Sequence, residues 1–205
     1  EDGRYYQFDN KGIAIPQTDP PVRLLPGWIV LTSDDGTASL RAPFGSILLQ
    51  PKTILAIGKM PADAPSLYLV TGSANFVVDK DFHGKLIVST PVSIYELSSP
   101  GEIFVTSDLS ELVFSLGGKL SASNTITRQT THITEFNYLN MADPLIHEKP
   151  ISRQTYDRMS INQDPTFAER LPSASTVSPI VVKPAVVTAT ETEPSVETPI
   201  AEKQS

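Results

Sequence analysis

The sequence predicts an all-β fold, an antiparallel sandwich or a short solenoid-like stack of about a dozen strands. Three observations predict it. Short apolar runs rich in Val, Ile, Leu, Phe and Tyr recur between residues 22 and 134. Gly, Pro, Asp and Ser clusters punctuate them at close spacing, and no segment there sustains the 3.6-residue apolar period of a helix.

Glycine marks where that domain lies. All 11 Gly fall between Gly3 and Gly118, and 12 of the 14 Phe and Tyr residues, with the only Trp, precede residue 144. The core therefore belongs to the first part of the 205-residue chain, within residues 22–143. At 40% hydrophobic residues and a mean hydropathy of -0.09 the chain is globular in character.

The strands follow in order. Residues 28–32 end at Ser33-Asp34-Asp35-Gly36, where Asp-Gly signals a tight turn into 37–41, giving a hairpin. Pro43-Phe44-Gly45 turns into 46–49, and Pro51-Lys52 turns again into 53–57. After a loop over 59–65, residues 66–70 reach a Thr71-Gly72 turn and 73–78 form the next strand. A polar turn over 79–84 with one aromatic leads into 85–90. Pro91 has no backbone donor, which limits the strand 92–97 to an edge or to a bulge near its start. Strands 102–106, 111–116 and 119–122 follow, separated by Ser107-Asp108-Leu109-Ser110 and Gly117-Gly118. A last, threonine-rich strand over 125–133 is polar on both faces and belongs at a sheet edge, with Arg128 as its only charged guard against pairing between chains.

Three segments flank the domain. Residues 1–21 read as an extended N-terminal arm in which Tyr5, Tyr6 and Phe8 either pack over the sheet or reach a partner. Residues 144–172 carry Pro144, Pro150, Pro165 and Pro172 and form a linker with a short helix around 154–162 or 166–171. Residues 173–205 hold ten Ser/Thr, four Pro and six Val with no Gly or aromatic residue, a composition that stays extended or disordered on its own. In that tail Ile180, Val181 and Val182, and again Val186 and Val187 after Ala185, offer strands to an exposed sheet edge.

The order of these pieces resembles the FecR domain. The resemblance rests on Phe44-Gly45-Ser46-Ile47-Leu48-Leu49 through Thr53-Ile54-Leu55-Ala56-Ile57, on Leu69-Val70-Thr71-Gly72-Ser73-Ala74-Asn75-Phe76-Val77-Val78, on Val88-Ser89-Thr90-Pro91 through Tyr95 to Gly101-Glu102-Ile103-Phe104-Val105, and on residues 112–120. It covers about half the chain. Family members usually have Gly-Thr where this chain has Gly101-Glu102, and Phe44 stands where an acidic or Asn turn residue is common. The resemblance implies an exported, envelope-facing β domain that contacts other proteins or surface ligands. With no cytoplasmic segment or membrane helix ahead of the domain, the sigma-factor signalling known for some members is not expected to extend to this chain.

Charge and motif content narrow the function classes. Sixteen basic against 23 acidic residues give a net charge of -7, opposite to the footprint of a nucleic-acid binder. No apolar stretch approaches the ~18 residues of a membrane span. Zero cysteines exclude disulfides and thiolate chemistry. A start at Glu1 without a signal-peptide pattern suggests a processed, exported chain of the bacterial periplasm or cell surface, or a piece of a longer one.

No nucleophile elbow, metalloprotease helix or phosphate loop occurs, so no catalytic residue, cofactor or metal ligand is assigned. Asp79, Asp81 and His83 alternate across one turn as weak candidate ligands, but a solvated hairpin turn accounts for them better, as it does for Asp34-Asp35-Gly36. Asp108 and Glu111 flank a loop at a spacing that suits a catalytic pair or a plain polar turn, the latter being preferred. Trp28 begins a strand after Pro26-Gly27 and either caps the core or anchors a partner. The expected function is a non-enzymatic structural or protein-interaction module of a bacterial envelope or surface assembly, its partners other envelope proteins or copies of itself. The alternative is a polysaccharide- or peptidoglycan-binding module that uses Trp28, Tyr68 or Tyr95.

Overall fold

The structure, a computed structural model, describes residues 5–8, 14–15 and 25–158 apart from 99, 108–109 and 144–146. Among the described residues it is all-β except for one short helix. Two sheets share a strand.

The first sheet contains β1 (Tyr5–Phe8), β2 (Ala14–Ile15), β3 (Ile29–Thr32), β6 (Ile54–Ile57), the first half of β7 (Ser66–Val78), β8 (Lys85–Ser89), β9 (Ser93–Ser98), β12 (Leu120–Asn124) and β13 (Thr130–Ile133). Its order is β2-β1-β3-β6-β7-β8-β9-β12-β13. The second sheet contains β4 (Ala38–Ala42), β5 (Gly45–Leu49), the second half of β7, β10 (Gly101–Ser107), β11 (Leu112–Gly117), β14 (Asn137–Asn140) and β15 (Lys149–Pro150), in the order β4-β5-β7-β10-β11-β14-β15. The β7–β8 pair is parallel; the other pairs are antiparallel.

The sequence expectation of two strands with a turn at Thr71-Gly72 is corrected: β7 is one 13-residue strand bent at that point. Gly72 has φ +90, and a Cβ there would lie 2.5 Å from Thr53 Cα and 2.7 Å from Lys52 O. The chain can pass so close to β6 only without a side chain. Thr53, fully buried, holds the bend: its hydroxyl donates to Ser73 O at 2.9 Å and accepts from Ser73 N at 3.0 Å.

Pro91 does not put its strand at an edge. It precedes β9, which lies between β8 and β12, so the missing donor costs no ladder bond. The expected strand over 125–133 is also corrected. Asn124 closes β12 by accepting from Ile126 N at 2.8 Å and Thr127 N at 2.9 Å, an Asx turn that a threonine count does not reveal. Only β13 remains of the expected strand, paired to β12 and terminal in its sheet.

Between the sheets lies the main core, with Val30, Leu49, Leu55, Leu69, Phe76, Leu86, Tyr95, Leu97 and Val105 at 0% exposure. A second cluster forms on the outer side of the second sheet from Phe104, Phe114, Leu116, Ile151 and Tyr156, the last on α1 (Arg153–Arg158). Ser152 caps α1, its hydroxyl accepting from Thr155 N at 3.1 Å. Among the described residues no helix is long and apolar enough to cross a membrane.

Candidate interaction surface

Strand alternation gives each sheet an inner and an outer face, and part of each outer face is apolar. In the second sheet the register aligns Ser39, Leu48, Asn75, Phe104, Phe114, Tyr138 and Lys149. Phe114 stacks on Tyr138 at a centroid distance of 5.1 Å, and the chain's own Ile151 and Tyr156, each 2% exposed, bury against this row.

The first sheet differs. One row runs across it through Ile29, Ala56, Tyr68, Ser89, Ile94, Ser123 and Thr130. Tyr68 is 39% exposed and Ile94 37%. Leu31 pairs with Ile54 in the adjoining row, and Val70, two residues beyond Tyr68, is 37% exposed. Their strand neighbours Val30, Leu55 and Leu69 are fully buried in the core, so the period-two pattern itself turns the other set outward. The charged residues on this face are Lys85 and Glu96, paired at 2.6 Å on β8 and β9. From β3 to β7 the face carries no charge.

The residues singled out from sequence fall in different places. The backbone of Tyr5, Tyr6 and Phe8 pairs as β1 with β3, Tyr6 opposite Leu31 and Phe8 opposite Ile29. Trp28 is half-buried and packs against the main core. Ile180, Val181, Val182, Val186 and Val187 lie outside the described residues, as does Asp108. Asp79 forms an ion pair with Arg41, and Phe82 from the same turn packs edge-on against Phe44 at 6.2 Å. Of the three aromatics expected to form a glycan platform, Tyr95 is fully buried and Trp28 packs against the core, which leaves Tyr68 exposed.

Glu111 corrects the plain polar turn expected at its position. It is 5% exposed, and its carboxylate accepts from the Tyr95 hydroxyl at 2.5 Å and from the Thr90 hydroxyl, 2.8 Å from both oxygens. Burial first, then the charge of Glu111 and the bond to it, raise the Tyr95 pKa far above its ordinary 10.0; the Ser93 side chain acts the other way. Tyr95 therefore stays a donor. Thr90 also accepts from Ser93 N at 3.0 Å, and Met141 N donates to Glu111 O at 2.9 Å. The arrangement ties β9, β11 and the segment after β14 together in the interior. Sequence reasoning missed it because each member is a common residue and only the fold brings them together. Among the described residues no group of three or more His, Asp or Glu side chains is placed to hold a metal ion.

No protein-family model matches the chain, and no curated protein does. Solved structures do. Two crystal structures, each described as a "putative anti-sigma factor" from Parabacteroides distasonis ATCC 8503, are similar to it. One has a TM-score of 0.54 at 17% identity over 63% of this chain and 62% of that one. The other has a TM-score of 0.55 at 16% identity over 64% and 63%. The chain shares their fold. The matched part is less than two thirds of either protein's length.

Proposed function

We propose that the chain is a non-enzymatic, exported protein-interaction module of a bacterial cell envelope, and that the outer face of the first sheet is its contact surface. The observation that carries this reading is the contrast between the two outer faces. The chain's own Ile151 and Tyr156 cover the apolar rows of one, while Tyr68, Val70 and Ile94 stand more than a third exposed on the other. The Glu111 cluster is compatible with it, because the Tyr95, Thr90 and Glu111 side chains bond to one another in the core.

The fold neighbours add a second reading. Their description favours, against the expectation drawn from the sequence, a role in signalling to a sigma factor, with this chain as the part that senses a partner.

Two measurements test the proposal. Osmotic-shock fractionation of the host is expected to release the chain with the periplasmic fraction; retention in the cytosol overturns export. Tyr68→Glu in the full chain is expected to abolish co-purification of its partners while leaving the circular dichroism unchanged. Unchanged co-purification overturns the assignment of the surface.

A further inference from the structure

We propose that residues 149–158 form a displaceable strap, and that the aromatic groove beneath them on the second sheet is a second docking site, for a short basic segment of a protein partner. The site is separate from the exposed face of the first sheet. The segment seated in the groove defines what fits. Ile151 and Tyr156, five residues apart and each 2% exposed, bury against Phe104, Phe114 and Leu116, with Tyr138 packed alongside. Ring centroids on the floor lie 6.0 Å apart from Phe104 to Phe114 and 5.1 Å from Phe114 to Tyr138. An aliphatic anchor just before a short helix and an aromatic one on it match the helix-in-groove mode of recognition.

Three features make this segment the part that opens. Its anchors belong to a cluster of their own, apart from the main core between the sheets, so lifting them leaves that core closed. Its sheet contact is two residues long and outermost, because β15 pairs with β14 alone and Pro150 brings no donor. Beyond that pairing, Ile151 N donates to Phe136 O at 2.9 Å, and Glu148, just before the strap, accepts from Thr134 at an exposed position. Finally, α1 has six residues, far below the ~12–15 that hold a helix without support, so it forms only while docked.

Charge gives the occupant its sign. Within 149–158, Lys149, Arg153 and Arg158 against Asp157 give +2, while the remaining 13 basic and 22 acidic residues leave the rest of the chain at -9. Glu102, two residues from Phe104 on the same face of β10 and accepting from Asn75 Nδ2 at 2.9 Å, brings the acidic sign to the edge of the groove. A basic segment is drawn to such a site and an acidic one is repelled.

Hydrogen exchange of the full chain, followed by NMR, tests the opening. The amides of Ile151 and Tyr156, bonded to Phe136 O and Ser152 O, are expected to exchange together, about 100-fold or more faster than Ile57, whose amide donates to Trp28 O at 2.8 Å. Exchange as slow as that of Ile57 overturns the strap.

A labelled peptide of residues 149–158 is the probe for the groove, titrated against the full chain by fluorescence anisotropy. It is expected to bind Tyr156→Ala, which lacks its own anchor, about tenfold or more tighter than wild type. A lock keeps the test independent of that variant's stability. The chain has no cysteine, and Pro150, having no N–H, forms the closely spaced kind of pair with Asn137, so Asn137→Cys with Pro150→Cys ties the strap down through one disulfide. The oxidised lock is expected to exclude the peptide, and reduction to restore binding. The peptide carrying Lys149→Glu, Arg153→Glu and Arg158→Glu is expected to bind about tenfold or more weaker. No binding to a natively folded Tyr156→Ala chain, or equal binding to the lock before and after reduction, overturns the groove as a docking site. Equal binding of the acidic peptide overturns a basic partner.

Discussion

Tyr95→Phe isolates one hydrogen bond in the core. The substitution keeps the ring, which is fully buried, and removes the hydroxyl that donates to Glu111 at 2.5 Å. The carboxylate, 5% exposed, is left with Thr90 as its hydroxyl donor. A hydrogen bond to a charged group contributes about 1.5–3 kcal/mol, and its loss leaves a buried acceptor short of a partner. For a domain of this size that corresponds to a fall in Tm of roughly 3–12 °C, with the urea midpoint falling in proportion.

The same variant alters the pH response. The folded state holds Tyr95 protonated above its ordinary 10.0, whereas the unfolded state releases that proton near its ordinary value. Above about pH 10 the native state binds the extra proton, so this group's contribution is fully present below pH 10 and declines as pH rises, by about 1.4 kcal/mol per unit. Urea titrations of wild type and Tyr95→Phe at about pH 7 and at steps above about pH 10 measure both effects. The variant is expected to start lower and to lose stability less steeply in alkali. Equal midpoints at neutral pH, or equal alkaline slopes, refute the reasoning.

Other substitutions probe other parts of the frame. Gly72→Ala forces a Cβ into Thr53 and into positive φ, so a loss of about 2–4 kcal/mol by urea unfolding is expected. Thr53→Val keeps the shape but removes the hydroxyl that bonds Ser73 N and O, of which the carbonyl keeps Gln50 N at 2.9 Å, for a loss of about 1–3 kcal/mol in the same assay. Tyr156→Ala opens the second cluster over Phe104 and Phe114, and calorimetry is expected to show a loss of about 3 kcal/mol together with new binding of a hydrophobic dye. Arg41→Ala removes an ion pair whose side chains are 72% and 37% exposed, and the change is expected to stay below about 1 kcal/mol.

Most of the strands were legible because their information is local. Alternation in 46–49, 53–57 and 85–90 marks both the strand and its inward residues, and β5, β6 and β8 follow it within a residue. What the sequence hid depends on distant partners. Gly72 reads as a turn because glycine and a preceding threonine usually make one; its role as a bend inside a strand depends on Thr53, from another element. β14 holds only Tyr138 and Leu139 between asparagines, and pairing with β11 makes it a strand. Ile151 and Tyr156 sit in a proline-punctuated segment that reads as linker, yet Phe104 and Phe114 on β10 and β11 give them a surface to bury against.

The contact surface was half legible. The same alternation that assigns Leu55 and Leu69 to the core assigns Ile54, Ala56, Tyr68 and Val70 to the opposite face, but their alignment into rows appears only once β3, β6, β7 and β9 are placed side by side. Aromatic content pointed to Tyr68, but equally to Trp28 and Tyr95. The latter two serve the core, because each begins or continues a strand whose inward parity it shares.

Hydroxyl-radical footprinting of the full chain, in envelope extracts of its host and again purified at high dilution, tests the central claim most directly. The account predicts that Tyr68, Val70 and Ile94 are protected in the extract and react freely when dilute, while Ile126 reacts equally in both. Equal reactivity of Tyr68 and Ile94 in the two samples would contradict it.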